Sequence, residues 1–176
     1  MRTIFSFSRM FTFLLTCTIF LTSLSENAIA ATKFVVKFDK NELKEPAAKF
    51  LIKTSKAIQA AYTQLQTGKN FTGDFAKAVA HQRQALELFK SGLFQRAAYH
   101  SRLARQFAVN SLQANKGNAA SFTVTQDEKT LFTNNSALLK DTELENELKK
   151  KMAGKAFSDQ EFINGNITDI AESRIK

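Results

Sequence analysis

"ALELFKSGLFQRAAYHSRLA", Ala85 to Ala104, decides the reading of this chain. On both sides of Ser91-Gly92, apolar and small residues return every three or four positions, the period of an α-helix with one buried face. A glycine between two such runs tolerates the backbone angles of a tight reversal. The stretch therefore predicts two antiparallel helices joined by a turn at Gly92. An earlier segment repeats the pattern. "GDFAKAVAHQR", Gly73 to Arg83, and "GLFQRAAYHSR", Gly92 to Arg102, share Gly-x-Phe-x-x-Ala-x-x-His-x-Arg at an offset of 19 residues. The offset equals one helix plus one turn, so the repeat has a structural explanation. Glycine permits the turn, phenylalanine seats the new helix on its neighbour, and the alanines let the axes approach.

Working outward, Pro46 suits the first position of an earlier helix, where its missing N–H costs nothing. Ala47, Phe50, Leu51, Thr54, Ile58, Ala61 and Leu65 then fall on one face, with Lys49, Lys53 and Lys56 opposite. Gly68 is expected to close this helix in a left-handed cap. The three helices are predicted at about 46–66, 74–91 and 93–115, the second capped by Thr72 or Asp74. The face of the second is centred on Phe75, Val79, Gln82, Leu86 and Phe89. That of the third is built from Ala97, Ser101, Ala104, Ala108 and Ser111.

The hairpin resembles the tetratricopeptide repeat. Ala85, Gly92-x-Phe94, Ala97 and Ala104 match its small positions and its turn. The large aromatic expected between the two alanines of the second helix is Gln82 in one copy and Ser101 in the other. No proline ends either unit, and the period is 19 rather than about 34. The resemblance spans about residues 72–115 and implies an all-α fold of paired helices that serves as an interaction scaffold.

Past Gly117 the composition changes. "GNAASFTV" reads as a linker. Thr125-x-x-Glu128, Thr142-x-x-Glu145 and Ser158-x-x-Glu161 each match a capping box and predict short helices. In "TELENELKKKM", Leu144, Leu148 and Met152 form a stripe, and Glu145–Lys149 and Glu147–Lys151 are favourable i,i+4 pairs. "ITDIAESRIK" predicts a last, frayed helix.

Before the helices, Arg2 and Arg9 precede the uncharged apolar run Met10–Leu24, and Ala28 and Ala30 stand where a signal peptidase needs small residues. Residues 1–30 thus read as a cleavable export signal cut after Ala30, leading to the periplasm or the cell exterior. Residues 31–45, with "KFVVKF", read as an extended arm. The only cysteine, Cys17, lies in the signal, so a mature chain has neither disulfides nor thiol chemistry.

Charge is uneven. Residues 31–116 carry 15 Lys/Arg against 5 Asp/Glu, net +10, and residues 117–176 carry 8 against 10, net −2. Lys77, Arg83, Arg96, Tyr99, Arg102 and Arg105 are expected to form a basic, partly aromatic face on the second and third helices. Arginine forks suit carboxylate or phosphate, although solvated side chains packed over apolar neighbours would give the same pattern. The two histidines, His81 and His100, fall on the flanks of their helices at similar heights. They read as ordinary flank residues, as a pH-responsive pair, or as half of a metal site that lacks a third ligand. No catalytic or nucleic-acid motif accompanies them, and no cofactor is implied. Two functional expectations follow: a non-enzymatic module that binds an unknown protein partner, or a basic protein that binds anionic lipid or glycan by charge.

Overall fold

The computed structural model describes residues 42–130, 140–163 and 165–175; the expected export signal and residues 31–41 of the expected arm lie outside them, and the arm's last two residues, Lys44 and Glu45, are helical. The described residues belong to one compact unit, Lys37–Lys176. They are all-helical, with no strand among them. Three long helices form the body: α1 Lys44–Gly68, α2 Asp74–Lys90 and α3 Phe94–Ala114. Two short helices follow, α4 Gln126–Thr130 and α5 Asp141–Lys151, and then 3-10 turns at Asp159–Phe162, Thr168–Ile170 and Glu172–Arg174.

Every residue of the expected α1 face is buried, from Ala47 to Leu65. This helix starts two residues early, so Pro46 lies inside its first turn. The placement costs nothing, because the first N–H to find a carbonyl is that of Ala47, on Leu43 O at 3.0 Å. The left-handed cap falls on Lys69, φ 52°, and not on Gly68. Gly68 is required for closeness: a Cβ there would lie 2.4 Å from Asn115 Oδ1 and 2.9 Å from Asn115 Cβ. Asn115 needs that position, since its Oδ1 accepts from Asn70 N at 2.8 Å and its Nδ2 donates to Asn70 O at 3.1 Å. The exchange ties the α1–α2 loop to the end of α3.

Glycine at 73 and 92 takes φ of +82° and +73°, as the two turns require. Among the described helices α2 and α3 make the most extensive pairing, and α1 packs across both. The helices meet through small residues, Ala78, Ala85, Ala97, Ala104 and Ala108 all being fully buried. Phe75 fills the gap between α2 and the chain's end, with Tyr62 at 5.8 Å on one side and Phe162 at 5.7 Å on the other. Burying one such ring contributes about 1.5–3 kcal/mol.

The N terminus of α2 is capped from far along the chain. Thr72 and Asp74 bond chiefly to each other. The cap is Asp159, a buried carboxylate that accepts from Gly73 N and Ala76 N, both at 2.8 Å. The capping box at Thr125 is present: Thr125 N donates to Glu128 Oε2 at 2.9 Å and Glu128 N to Thr125 Oγ1 at 3.3 Å. At α5 the box shifts by two residues, Lys140 N donating to Glu143 Oε2 at 3.1 Å. Ser158 makes no side-chain cap and precedes only a 3-10 turn. The last segment forms turns instead of the expected helix, yet it is anchored: Ile167, Ile170 and Ile175 are buried, and Ser55 Oγ donates to Ile170 O at 2.7 Å.

Candidate functional site

The repeat places equivalent residues of its two copies in contact. His81 and His100 meet Nδ1 to Nδ1 at 3.0 Å. One step along, Ser101 Oγ lies 3.0 Å from Gln82 Oε1. All four side chains are buried. Gln82 and Ser101 knot the three helices together. Gln82 Nε2 donates to Leu51 O at 3.0 Å and to Ser55 Oγ at 3.1 Å, while Ser101 Oγ sits 2.9 Å from Thr54 Oγ1. Buried polar groups satisfied in this way fix one register among helices that otherwise slide on alanine surfaces.

Both histidines are at most 1% exposed, which corrects the expectation of flank positions. The seam of the hairpin is centred on its small residues, and His81 and His100 lie three residues after Ala78 and Ala97. Phe107 stacks on His81 at 5.7 Å, and Lys77 Nζ lies 4.9 Å above the same phenyl ring. Burial drives His81 down from 6.5 to about 3, helped by the neighbouring His100 and Lys77. Burial likewise lowers His100, to about 4, with Glu147 opposing the shift and Arg96 and Lys151 adding to it. Nε2 of His100 has no hydrogen-bond partner and faces Glu147 Oε2 at 3.8 Å. Among the described residues no three His, Cys, Asp or Glu side chains gather as metal ligands.

The basic face is corrected more thoroughly. Arg105 lies fully inside the protein. Its Nε donates to Thr54 Oγ1 at 3.1 Å, Nη1 to Glu128 Oε1 at 2.9 Å and Nη2 to Phe50 O at 2.9 Å, and its guanidinium lies 4.0 Å above the Phe50 ring. Burial would raise the Glu128 carboxyl, but the Thr125 N–H, Arg105 and Lys53 outweigh it and hold the group down at about 2. Tyr99 is also buried, its hydroxyl accepting from Gln95 Nε2 at 3.1 Å. The remaining arginines have partners from the later, acidic part of the chain. Arg83 binds Asp169 at 2.5 Å and lies 5.6 Å from the Phe162 ring. Arg96 binds Glu147 at 2.6 Å, and Arg102 binds Asp141.

Helix α5 therefore lies on the basic face. Leu144 and Leu148 are buried beneath it, Asp141 and Glu147 hold α3, and Lys151 reaches back to Glu87 and Gln84 of α2. The Glu145–Lys149 pair is present at 4.0 Å, whereas Glu147 and Lys151 each find a partner on the hairpin in place of each other. Part of the uneven charge of the sequence is a complementarity inside the fold. The cationic helices and the anionic end neutralise one another at Arg83, Arg96, Arg102 and Arg105.

A groove of about 590 Å³ opens beside the start of α1, lined by Glu42, Glu45, Pro46, Lys49, Phe50, Lys53 and Glu128. No helix among the described residues is long and apolar enough to cross a membrane. No protein-family model, curated protein or solved structure matches this chain.

Proposed function

We propose that this protein is an exported, non-enzymatic interaction module, delivered to the periplasm or the cell exterior, whose α2–α3 hairpin docks acidic amphipathic helices. The hairpin is the part that resembles a tetratricopeptide repeat. One observation carries the reading: the α2–α3 face already holds a segment of that kind, α5, by two buried leucines and by Arg96–Glu147 and Arg102–Asp141. Helix-in-groove recognition uses such spaced apolar anchors with flanking charge. A protein partner would present the same chemistry and compete with α5 for the face. The alternative, attachment to anionic lipid or glycan by charge alone, has less support because the arginines expected to carry it are engaged within the fold.

The test uses a fluorescent peptide of the sequence of residues 140–153. Leu144→Asp should release α5 from its place. Anisotropy should then show the peptide binding this variant far better than the unaltered protein, and Arg96→Glu in the same background should abolish the binding. A peptide that binds none of the three proteins would overturn the reading. Sedimentation with anionic vesicles, steeply lost with added salt, would favour the lipid alternative.

A further inference from the structure

Two neutral imidazoles that meet through their Nδ1 atoms share a single proton between those atoms, one ring donating and the other accepting. Which ring donates is decided by what faces the far nitrogens. His100 Nε2 is buried without a hydrogen-bond partner and looks toward the Glu147 carboxylate at 3.8 Å. A carboxylate there favours N–H over a bare lone pair on Nε2. His100 then carries its proton on Nε2 and accepts at Nδ1, and His81 is the donor, with its Nε2 bare.

We propose that His81, His100 and Glu147 form a proton relay linking the α2–α3 hairpin to α5, and that it takes up protons in a fixed order. A proton from solvent reaches His81 at Nε2 during a local opening. The N–H bond at His81 Nδ1 breaks as a new one forms at His100 Nδ1. His81 is again neutral, now as the Nε2–H tautomer, and His100 is an imidazolium whose Nε2–H points at Glu147. The charge comes to rest on the ring with a carboxylate beside it.

The groups facing the pair from every side support that order. On α2, Lys77 stands by His81 and resists a charge there. On α3, Arg96 opposes charge on His100, but Arg96 is itself bound to Glu147 at 2.6 Å. On α5, Glu147 favours the charge and Lys151 opposes it. His81 has no carboxylate among these neighbours. A second proton must therefore place two cations across a 3.0 Å contact in the seam of the hairpin. The pair is a two-step acid sensor: the first proton tightens the hold of α5 through Glu147, and the second forces α2 and α3 apart. This inference is independent of any partner docking on the hairpin.

Ring-nitrogen NMR of the ¹⁵N-labelled protein tests it. At neutral pH the expected result is an Nδ1–H tautomer for His81 and an Nε2–H tautomer for His100, with the His81 Nδ1 proton coupled across to His100 Nδ1. On acidification His100 should charge first. Glu147→Gln keeps the size of the side chain and removes its charge, and it should move that first step to lower pH by about a unit, roughly a tenfold loss of proton affinity. Two Nε2–H tautomers at neutral pH, or a first step that Glu147→Gln leaves in place, would overturn the proposal.

Discussion

Glu128 and Arg105 hold each other at 2.9 Å, and only Glu128 retains any access to water. The two residues are therefore unequal under substitution. Glu128→Ala leaves a guanidinium fully buried against Phe50 with no counter-charge, and it should cost about 3 kcal/mol. Adding Arg105→Met to that variant should recover part of the loss, because it removes the stranded charge and fills the space. A double-mutant cycle in urea reads the coupling directly, and strictly additive losses would show the pair to be inert.

Asp159 caps a helix that begins 86 residues before it, as counted to Gly73. Asp159→Ala leaves two N–H groups without their acceptor, the buried one of Ala76 and the half-buried one of Gly73, and should cost about 2 kcal/mol. Asp159→Asn keeps one acceptor oxygen and should lose less. Thermal unfolding of both variants would show the order, and an Ala variant as stable as the parent would show that the turn at Asp159–Phe162 plays no part in capping α2.

Acid should destabilise the fold through its two buried histidines. His81 and His100 ordinarily titrate near 6.5 and do so at about 3 and about 4 in the folded protein. Their folded values are depressed, so the unfolded chain binds more protons below 6.5 and stability falls with pH from there. At pH 5 the two together should remove roughly 4 kcal/mol, a large share of an ordinary domain's stability. His81→Gln combined with His100→Gln should flatten the pH dependence between 6.5 and 5, which equilibrium unfolding at several pH values would measure.

Gly68→Ala should destabilise by about 1–3 kcal/mol, since the added methyl meets Asn115 at under 3 Å. The strain would first loosen the Asn70–Asn115 exchange, so amide hydrogen exchange at Asn70 should rise more than the global loss explains. Equal protection in variant and parent would place the contact elsewhere.

The three long helices were legible because their buried residues recur at helical spacing, and Gly92 marks the reversal between α2 and α3. The Thr125 box was legible because both of its partners lie within four residues. Arg105 was misread for a definite reason. It stands four residues after Ser101 and three before Ala108, both on the buried face. Positional logic puts it inside, and only its charge argued otherwise. His81 was misplaced because large apolar residues suggest a different centre for the face of α2, whereas His100 adjoins Ser101 on a face already read as small, and only its polarity argued for the flank. In a hairpin that closes on alanine the small residues define the centre. What no local pattern carries is the set of long-range partners: Glu128 for Arg105, Asp169 for Arg83 and Asp159 for the start of α2. Their charges fit many partners equally well until the chain is folded.

The anchoring of the final turns bears on when the fold can close. Ser55 hydrogen-bonds Ile170, 115 residues later, and Ile175 is buried at the chain's end. The start of α2 waits for Asp159 in the same way. The long helices can therefore form early, but the packing of α1 and the capping of α2 are completed only when residues 159–175 have joined them.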